Sequence, residues 1–581
     1  MDLKEPLKDL NPSQAEAAAL MDSHLLIKAG PGTGKTRVLT ARIAHLINEG
    51  VDQNQILAVT FTNKAALEIK NRLEAAGLER PPQVATFHSW AYGLIYNRME
   101  SPPFVIDDKE QQSIFREALK EVKKEVEVDT SPKALLERLL FLKQQRINAK
   151  DIEDELLRLI WEAYHGLLKS YKLLDYDDLL IEASKLLEEG SCTALRYVLI
   201  DEFQDVNSIQ FHIVRLLGQT ALVTAIGDPY QAIYGFRGSS PKFLERFETE
   251  FTPLKSVTLV NAYRSPQNIL NAAASLFEEL TPLKSQVAAE GKILLKVFGN
   301  HEKEAVWIAG QIDKMVGGIS FESMNQHNMD AFEEWSLGDI CILYRTRAQS
   351  EALSTALARQ GIPFHTPPNH WGEEARVTNL LQHLVGVMHG QCVPYHSSRL
   401  GVGEDKAKEL ASILDGVLQD SVSFSVFLDS FSKRLGLSLP DDDVERLKLL
   451  ISLLKRGVPP SLAFKEEQDG LDFSVEAVTL MTLHGSKGLE FPVVFISGIE
   501  QHILPWKDSD IDEERRLFYV GITRSSHKLF LSSCKKRRLY GRWMETGPSS
   551  FLKPIEPYLC KDIKGPKKKK KTLKKKQKSL F

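Results

Sequence analysis

The stretch Leu25–Thr36, LLIKAGPGTGKT, constrains this chain more than any other. Leu25, Leu26 and Ile27 form a short apolar run, the pattern of a strand buried on both faces. A glycine-rich turn follows, and Arg37–Asn48 then spaces its apolar residues as a helix does. Strand, loop and helix in that order are the setting of a phosphate-binding loop. Gly30, Gly32 and Gly34 let the backbone curl so that its N–H groups point inward at a polyphosphate, and the helix N-terminus adds partial positive charge. Lys35 can reach the β- and γ-phosphates, and the Thr36 hydroxyl can hold Mg2+. The strict pattern asks for glycine where this chain has Ala29; Lys28, Pro31 and Thr33 complete the stretch. The reading is a nucleoside triphosphate site.

At 581 residues there is room for about three to five domains. No run of about 18 apolar residues offers a membrane span. The opening MDLKEPLKDL lacks the apolar centre of a signal peptide. Cys192, Cys341, Cys392, Cys534 and Cys560 form no CxxC pair, which argues against a disulfide framework, zinc ribbon or iron–sulfur cluster and for the cytoplasm. The net charge of −3 conceals an asymmetry: residues 561–581 hold eleven lysines and one acid, Asp562, so the rest of the chain is acidic. A nucleic-acid groove in such a body has to be local.

Along the chain, Leu10–Gln14 (LNPSQ) reads as the cap of a helix. Ile56–Thr60 is a second buried strand ending in Phe61-Thr62-Asn63-Lys64, and Val84–Thr86 a third ending in Phe87-His88-Ser89. Polar residues gathered at strand ends, with helices between the strands, describe a parallel sheet whose working edge lies there. From about Ser101 to Lys169 the pattern is helical and charged, with no convincing strand. The sheet resumes at Tyr197–Ile200 and runs into Asp201-Glu202-Phe203-Gln204-Asp205. Asp201 is placed to complete a Mg2+ shell with Thr36, and Glu202 to orient and deprotonate the attacking water. After the strand Leu222–Ile226, Asp228 and Gln231 suit a phosphate sensor, and Tyr234, Phe236 and Arg237 put aromatic faces beside a cation. Such faces stack unpaired bases at about 1–3 kcal/mol each.

These stretches together resemble a superfamily 1 DNA helicase of the UvrD/Rep/PcrA type. The carrying residues are LNPSQ, AGPGTGKT, AVTFTNKAALEIKNR (58–72), ATFHS (85–89), LDYDDLL (174–180), VLIDEFQDVNSIQ (198–210), IGDPYQAIYGFRG (226–238), AYRS (262–265), LYRTRAQ (343–349), MTLHGSKGLEFPVVF (481–495) and EERRLFYVGITRS (513–525). The resemblance implies an α/β fold of two RecA-like P-loop domains with parallel sheets, each carrying a helical insertion, with ATP in the cleft between them. The first domain would span 1–100 and 168–250 around an insertion at 101–167; the second would span 251–368 and 471–556 around an insertion at 369–470; a lysine-rich tail would follow from 557. It further implies that Arg264 and Arg524 reach the γ-phosphate from the second domain, where such guanidiniums are worth about 10³–10⁵ in rate. Tyr263 would stack on adenine, Gln14 would read it, Glu490 would hold the ribose, and Arg37 and Gln231 would make further nucleotide contacts. Phe61, Thr62, Asn63, His88, Tyr234, Phe236, Arg345 and His484 match positions lining a single-strand groove.

Four departures from the family pattern stand out: Phe236 for tryptophan, Ala262 for asparagine, Arg347 for asparagine, and a reduced second insertion, with helices expected near 376–388, 404–418, 422–435 and 441–455. The implied activity is ATP-dependent 3′→5′ DNA unwinding in repair or replication, on single strands and single/double-strand junctions, with ATP and Mg2+ as the only cofactors. A translocase that strips proteins without unwinding, and a non-catalytic repair scaffold, are the competing readings. The final residues Gln577, Leu580 and Phe581 resemble the peptide with which bacterial repair and replication proteins bind the sliding clamp, carried on a lysine tether. A nucleoid-associated cytoplasmic protein is the expected setting.

Overall fold

The computed structural model describes residues 5–560 except 97, 99–103, 191–193, 318–334, 367–375 and 456–475. The lysine-rich tail from 561 and its clamp-like end lie outside the described residues. Two parallel sheets organise the chain. The first runs, edge to edge, Gln83–Thr86, Ile56–Thr60, Tyr197–Ile200, Leu222–Gly227, His24–Ala29 and Leu254–Leu259, with every neighbouring pair parallel. Ile56–Thr60 and Tyr197–Ile200 are buried at every position, because helices cover both faces. The last strand pairs His24 with Leu254 through Ala29 with Leu259. It carries the first unit beyond 250, the boundary the sequence implies; the alternating burial of this edge strand carries no mark of which sheet it joins.

The second sheet runs Lys292–Phe298, Ser525–Cys534, Phe491–Ile496, Ile340–Tyr344, Val478–Thr482 and Phe364–His365, again all parallel. An antiparallel hairpin, Lys536–Leu539 with Arg542–Glu545, follows it. Each sheet carries its own apolar clusters, and Tyr230, Ile233 and Tyr234 from the first unit pack into a cluster of the second.

Both helical insertions have separate cores. The first contains Asp108–Val122, Pro132–Gln144 and Glu155–Ser170, entered and left through the short parallel pair Phe104–Val105 and Leu173–Leu174. Phe104–Val105 lies where the sequence shows no convincing strand; two residues are too few to make a period. The second contains Arg376–Met388, Val393–Leu400, Glu404–Leu418, Phe424–Leu435 and Asp441–Lys455. Four of these follow the expected spacing. Val393–Leu400 was not expected, because Pro394 reads as a break; it sits in the first turn, where its missing N–H costs nothing. Tyr395 of this helix joins the core of the first insertion, and its hydroxyl donates to Glu110 at 3.1 Å.

Candidate functional site

The strand His24–Ala29 lies next to the edge strand Leu254–Leu259, and at its end the chain turns into the helix Lys35–Asn48. Gly32 and Gly34 hold φ of 72° and 85°, a region closed to most side chains. A Cβ on Gly32 would stand 2.8 Å from that of Arg264, so the second unit approaches the loop backbone directly. Pro31 and Thr33 are buried, and Thr33 Oγ1 donates to Gly30 O at 2.8 Å. Gly34 provides no side-chain cap, which leaves the first helical N–H groups for a phosphate. Gln14 is buried and donates to Thr33 O at 2.9 Å. It also closes a capping box with Asn11, so the residue matched to adenine reading braces the loop as well. Ala29 is packed in the core, and Lys28 turns away to an ion pair with Glu248 at 2.6 Å. The Lys28 ammonium therefore serves the helix behind the sheet, because strand side chains alternate in direction.

Across the loop, Tyr197–Ile200 delivers Asp201 and Glu202 to the same sheet edge. Glu202 takes φ of 51°, left-handed for a non-glycine residue, a local strain typical of working sites. Lys35 Nζ lies 3.4 Å from Glu202. Burial, and then the charge of Glu202, pushes Asp201 up to about 7. Burial would raise Glu202 too, but Lys35 and Lys487 outweigh it and hold the carboxyl down at about 2. Glu202 is thus kept ionised at neutral pH. Gln204, fully buried, donates to Glu202 Oε2 and accepts from Asp228 N at 3.0 Å; Gln231 donates to Asp228 at 2.7 Å. Thr36, Asp201 and Asp228 offer oxygen donors alone, the chemistry of a hard divalent cation such as Mg2+.

The second unit closes the cleft. Tyr263 N donates to Gly32 O at 2.9 Å, and the Tyr263 hydroxyl accepts from Asn11 at 2.8 Å. Arg264 is ion-paired with Glu490. Arg524 is 2% exposed and donates to the carbonyls of Val520 and Leu489 at 3.0 and 2.9 Å. Burial, and then the charge of Arg264, lowers it to about 10, which leaves it a cation at neutral pH. Arg37 donates to Asp9 O at 2.8 Å at the rim of a neighbouring cavity of about 360 Å³.

Above the cleft runs an aromatic row. Phe61 stacks on Tyr234 with centroids 5.2 Å apart and planes 12° from parallel. Tyr234 meets Phe236 edge-on at 6.0 Å, and Phe236 meets His484 of the second unit at 5.9 Å. Phe236 is 66% exposed, which a core aromatic would not be. Thr62 caps the helix Asn63–Ala75 through Ala65 N, and Asn63 Nδ2 is buried without a protein acceptor. His88 packs edge-on against Tyr176 at 5.5 Å. Arg345 goes elsewhere: its guanidinium forks onto Glu514 at 2.7 to 3.1 Å and lies over Trp506. Its charge is spent within the second unit, on a partner 169 residues away that no local pattern announces.

Several residues of this site carry no sequence assignment. Lys487 spans the cleft to Asp205, Glu513 accepts from Gly235 N at 3.1 Å, and Arg516 donates to Ala232 O at 2.7 Å. The one available signal was that Gln204, Asp205 and Lys487 stand inside motif stretches beside residues with assigned roles.

A phosphate loop facing two acids, closed by arginines from a second RecA-like sheet and joined by an aromatic row that exposes Phe236, defines a two-domain nucleoside-triphosphate motor. Comparison with known proteins narrows this class. Residues 10–252 match the UvrD/REP helicase N-terminal domain, and residues 257–374 and 435–536 match the UvrD-like helicase C-terminal domain. The chain is similar to the ATP-dependent DNA helicase PcrA of Leuconostoc citreum, at 29% identity over 96% of this chain and 86% of that protein. It is also similar to PcrA of Staphylococcus epidermidis, at 29% over 97% and 88%, and to the ATP-dependent DNA helicase UvrD1 of Mycobacterium tuberculosis, at 29% over 94% and 85%. The chain belongs to the UvrD/Rep/PcrA-type helicases.

Proposed function

We propose that this ATP-dependent DNA helicase translocates 3′→5′ along single-stranded DNA and unwinds at single/double-strand junctions, in repair or replication. The observation that carries the reading is the row Phe61, Tyr234, Phe236 and His484, drawn from both units directly above the cleft. A change in the angle between the units would change the gap between Phe236 and His484, where the row crosses from one unit to the other. Lys35 and the open helix N-terminus bind phosphate, Glu202 takes a proton from the attacking water, and Arg264 and Arg524 carry positive charge from the opposite side. Thr36 and Asp201 would hold Mg2+, which neutralises charge on the phosphates. Tyr263 and Arg37 would flank the base, with Gln14 and Glu490 beside it, and Phe61, Thr62 and Asn63 would lie along the strand.

The test is the ATPase rate with single-stranded DNA, duplex and RNA as activators, beside unwinding of duplexes tailed at either end. Phe236→Ala should cut the DNA-stimulated rate far more than the basal one, through loss of about 1–3 kcal/mol of stacking. Phe236→Trp should remain active. Unwinding only of 5′-tailed substrates would reverse the polarity, and equal activation by RNA would remove the DNA assignment. The terminal Gln577, Leu580 and Phe581 are proposed to bind the replication sliding clamp, and Leu580→Ala with Phe581→Ala should abolish that binding without altering ATPase. Clamp affinity that follows only the lysines and falls with salt would overturn it. A cytoplasmic, nucleoid-associated location belongs to the same proposal.

A further inference from the structure

One ammonium touches both the hydrolytic turn and the aromatic row. Lys487 leaves the second unit just after the turn His484–Ser486 and enters the first. Its Nζ donates to both oxygens of Asp205, at 2.7 and 2.5 Å, and to Gln231 O at 2.7 Å. That uses all three ammonium donors. The same atom lies 5.1 Å from the centre of the Tyr234 ring, a cation over an aromatic face. The Lys487 and Asp205 side chains are 7% and 1% exposed.

Each partner has a consequence. Asp205 closes the turn that Glu202 begins, its N–H donating to Glu202 O at 2.9 Å. Gln231 holds Asp228, whose N–H is fixed by Gln204, which in turn holds Glu202. Tyr234 is the second ring of the row, between Phe61, on which it stacks, and Phe236. His484, three residues before Lys487, forms the end of that row with Phe236. A buried ion pair adds little net stability over an apolar pair of the same shape; what it enforces is register, since either charge left alone in the dry site is costly. This pair joins the two units, so it is made only when they stand in this arrangement.

We propose that Lys487 is a positioning residue that couples the two sites: it holds the Glu202–Asp205 turn and the Tyr234 platform in one register, so that the grip on the strand and the competence for hydrolysis change together. The inference rests on the reading of this chain as a DNA-stimulated ATPase. It assigns Lys487 no contact with nucleotide or strand.

The experiment uses the full chain and compares wild type with Lys487→Met, Lys487→Arg, Asp205→Asn and the double variant Asp205→Asn/Lys487→Met. ATP turnover and KM are measured with and without a single-stranded oligonucleotide, together with strand affinity and thermal melting. Lys487→Met keeps the aliphatic stem and loses the charge. It should lower the ratio of DNA-stimulated to basal turnover by about tenfold or more, the size of a typical coupling between sites. The KM for ATP without DNA and the strand affinity should move much less. Lys487→Arg should recover part of the ratio, and the double variant should be no worse than the poorer single one, since both break one contact. An unchanged ratio in Lys487→Met overturns the proposal. So does a uniform fall of basal rate, stimulated rate and melting temperature shared by the Met, Arg and Asp205→Asn variants, which marks a purely structural pair. Wild type with no stimulation by any single strand would instead remove the functional reading beneath it.

Discussion

In the cleft between the sheets, burial is met with charge: Glu202 and Asp205 lie against Lys35 and Lys487, and Arg264 against Glu490. At the seam between the helical insertions, burial is met with neutrality. Glu110, His383, His396 and Tyr395 form a chain in which His383 stands 3.1 Å from Glu110 by one nitrogen and 3.1 Å from His396 by the other. Phe104 packs edge-on against His396 at 4.5 Å. Burial, followed by the Asp107 charge, pushes Glu110 up to about 8. Burial, followed by the charges of His396 and Arg399, brings His383 down to about 3, and burial alone takes His396 to about 4. A protonated Glu110 can donate to His383, and His383 to His396, with no net charge anywhere. The contrast shows what each contact is for. In the function proposed above, the cleft keeps charges buried so that they can act on a phosphate, whereas the seam only has to hold two helical bodies together.

The same substitution in the two places should therefore give opposite results. Glu202→Gln should lower ATP turnover by about 10²–10⁴, the worth of a positioned base, while nucleotide binding persists. Glu110→Gln keeps a donor for His383 and should leave both turnover and melting close to wild type. If Glu110→Gln were as damaging as Glu202→Gln, the seam would not be the neutral partner of this comparison. Next in size, Arg264→Ala and Arg524→Ala should each cost about 2 kcal/mol or more of transition-state stabilisation. Together they should cost less than the sum, because both act in one closed cleft. Strict additivity in kcat would separate them.

The smallest effect is a pH slope. Glu110 is raised from 4.5 to about 8, so the folded seam keeps a proton that the unfolded chain has released, and its stabilisation is lost as pH rises through that window. His383 and His396 are lowered from 6.5, so their contribution is lost as pH falls below that value. Among the seam groups only Glu110 keeps a slope above that value, and Asp177, Asp178 and Asp201, each raised to about 7, add slopes of the same sign that a seam variant does not touch. Wild-type stability should fall towards pH 8, and Glu110→Gln should fall less steeply, the difference being the share of one proton, up to about 1.4 kcal/mol per pH unit. Melting curves of the two proteins at several pH values measure it, and parallel curves would count against a proton held in the seam.

How much of this was legible depended on range. Gly32 and Gly34 at positive φ, the uncapped helix after them, and two acids at a buried strand's end follow from residues adjacent in the chain, so their grouping at one sheet edge could be read directly. The strands of the first sheet and the helical stretch after residue 101 carry their patterns locally, whereas two parallel sheets, each with a helical insertion, were what the family resemblance implied. Partner choice was not legible. Nothing near Arg345 shows that Glu514 takes its charge, nothing near Lys28 that Glu248 does, and nothing near Lys487 that Asp205 waits across the cleft. The seam was equally invisible, since Glu110 and His383 are ordinary surface residues of two separate helices until the insertions meet. The sequence by itself determined which loops and strands form and which side chains they present. The tertiary structure alone decided which charges meet, because that depends on distances between segments hundreds of residues apart and on how much water the packing removes.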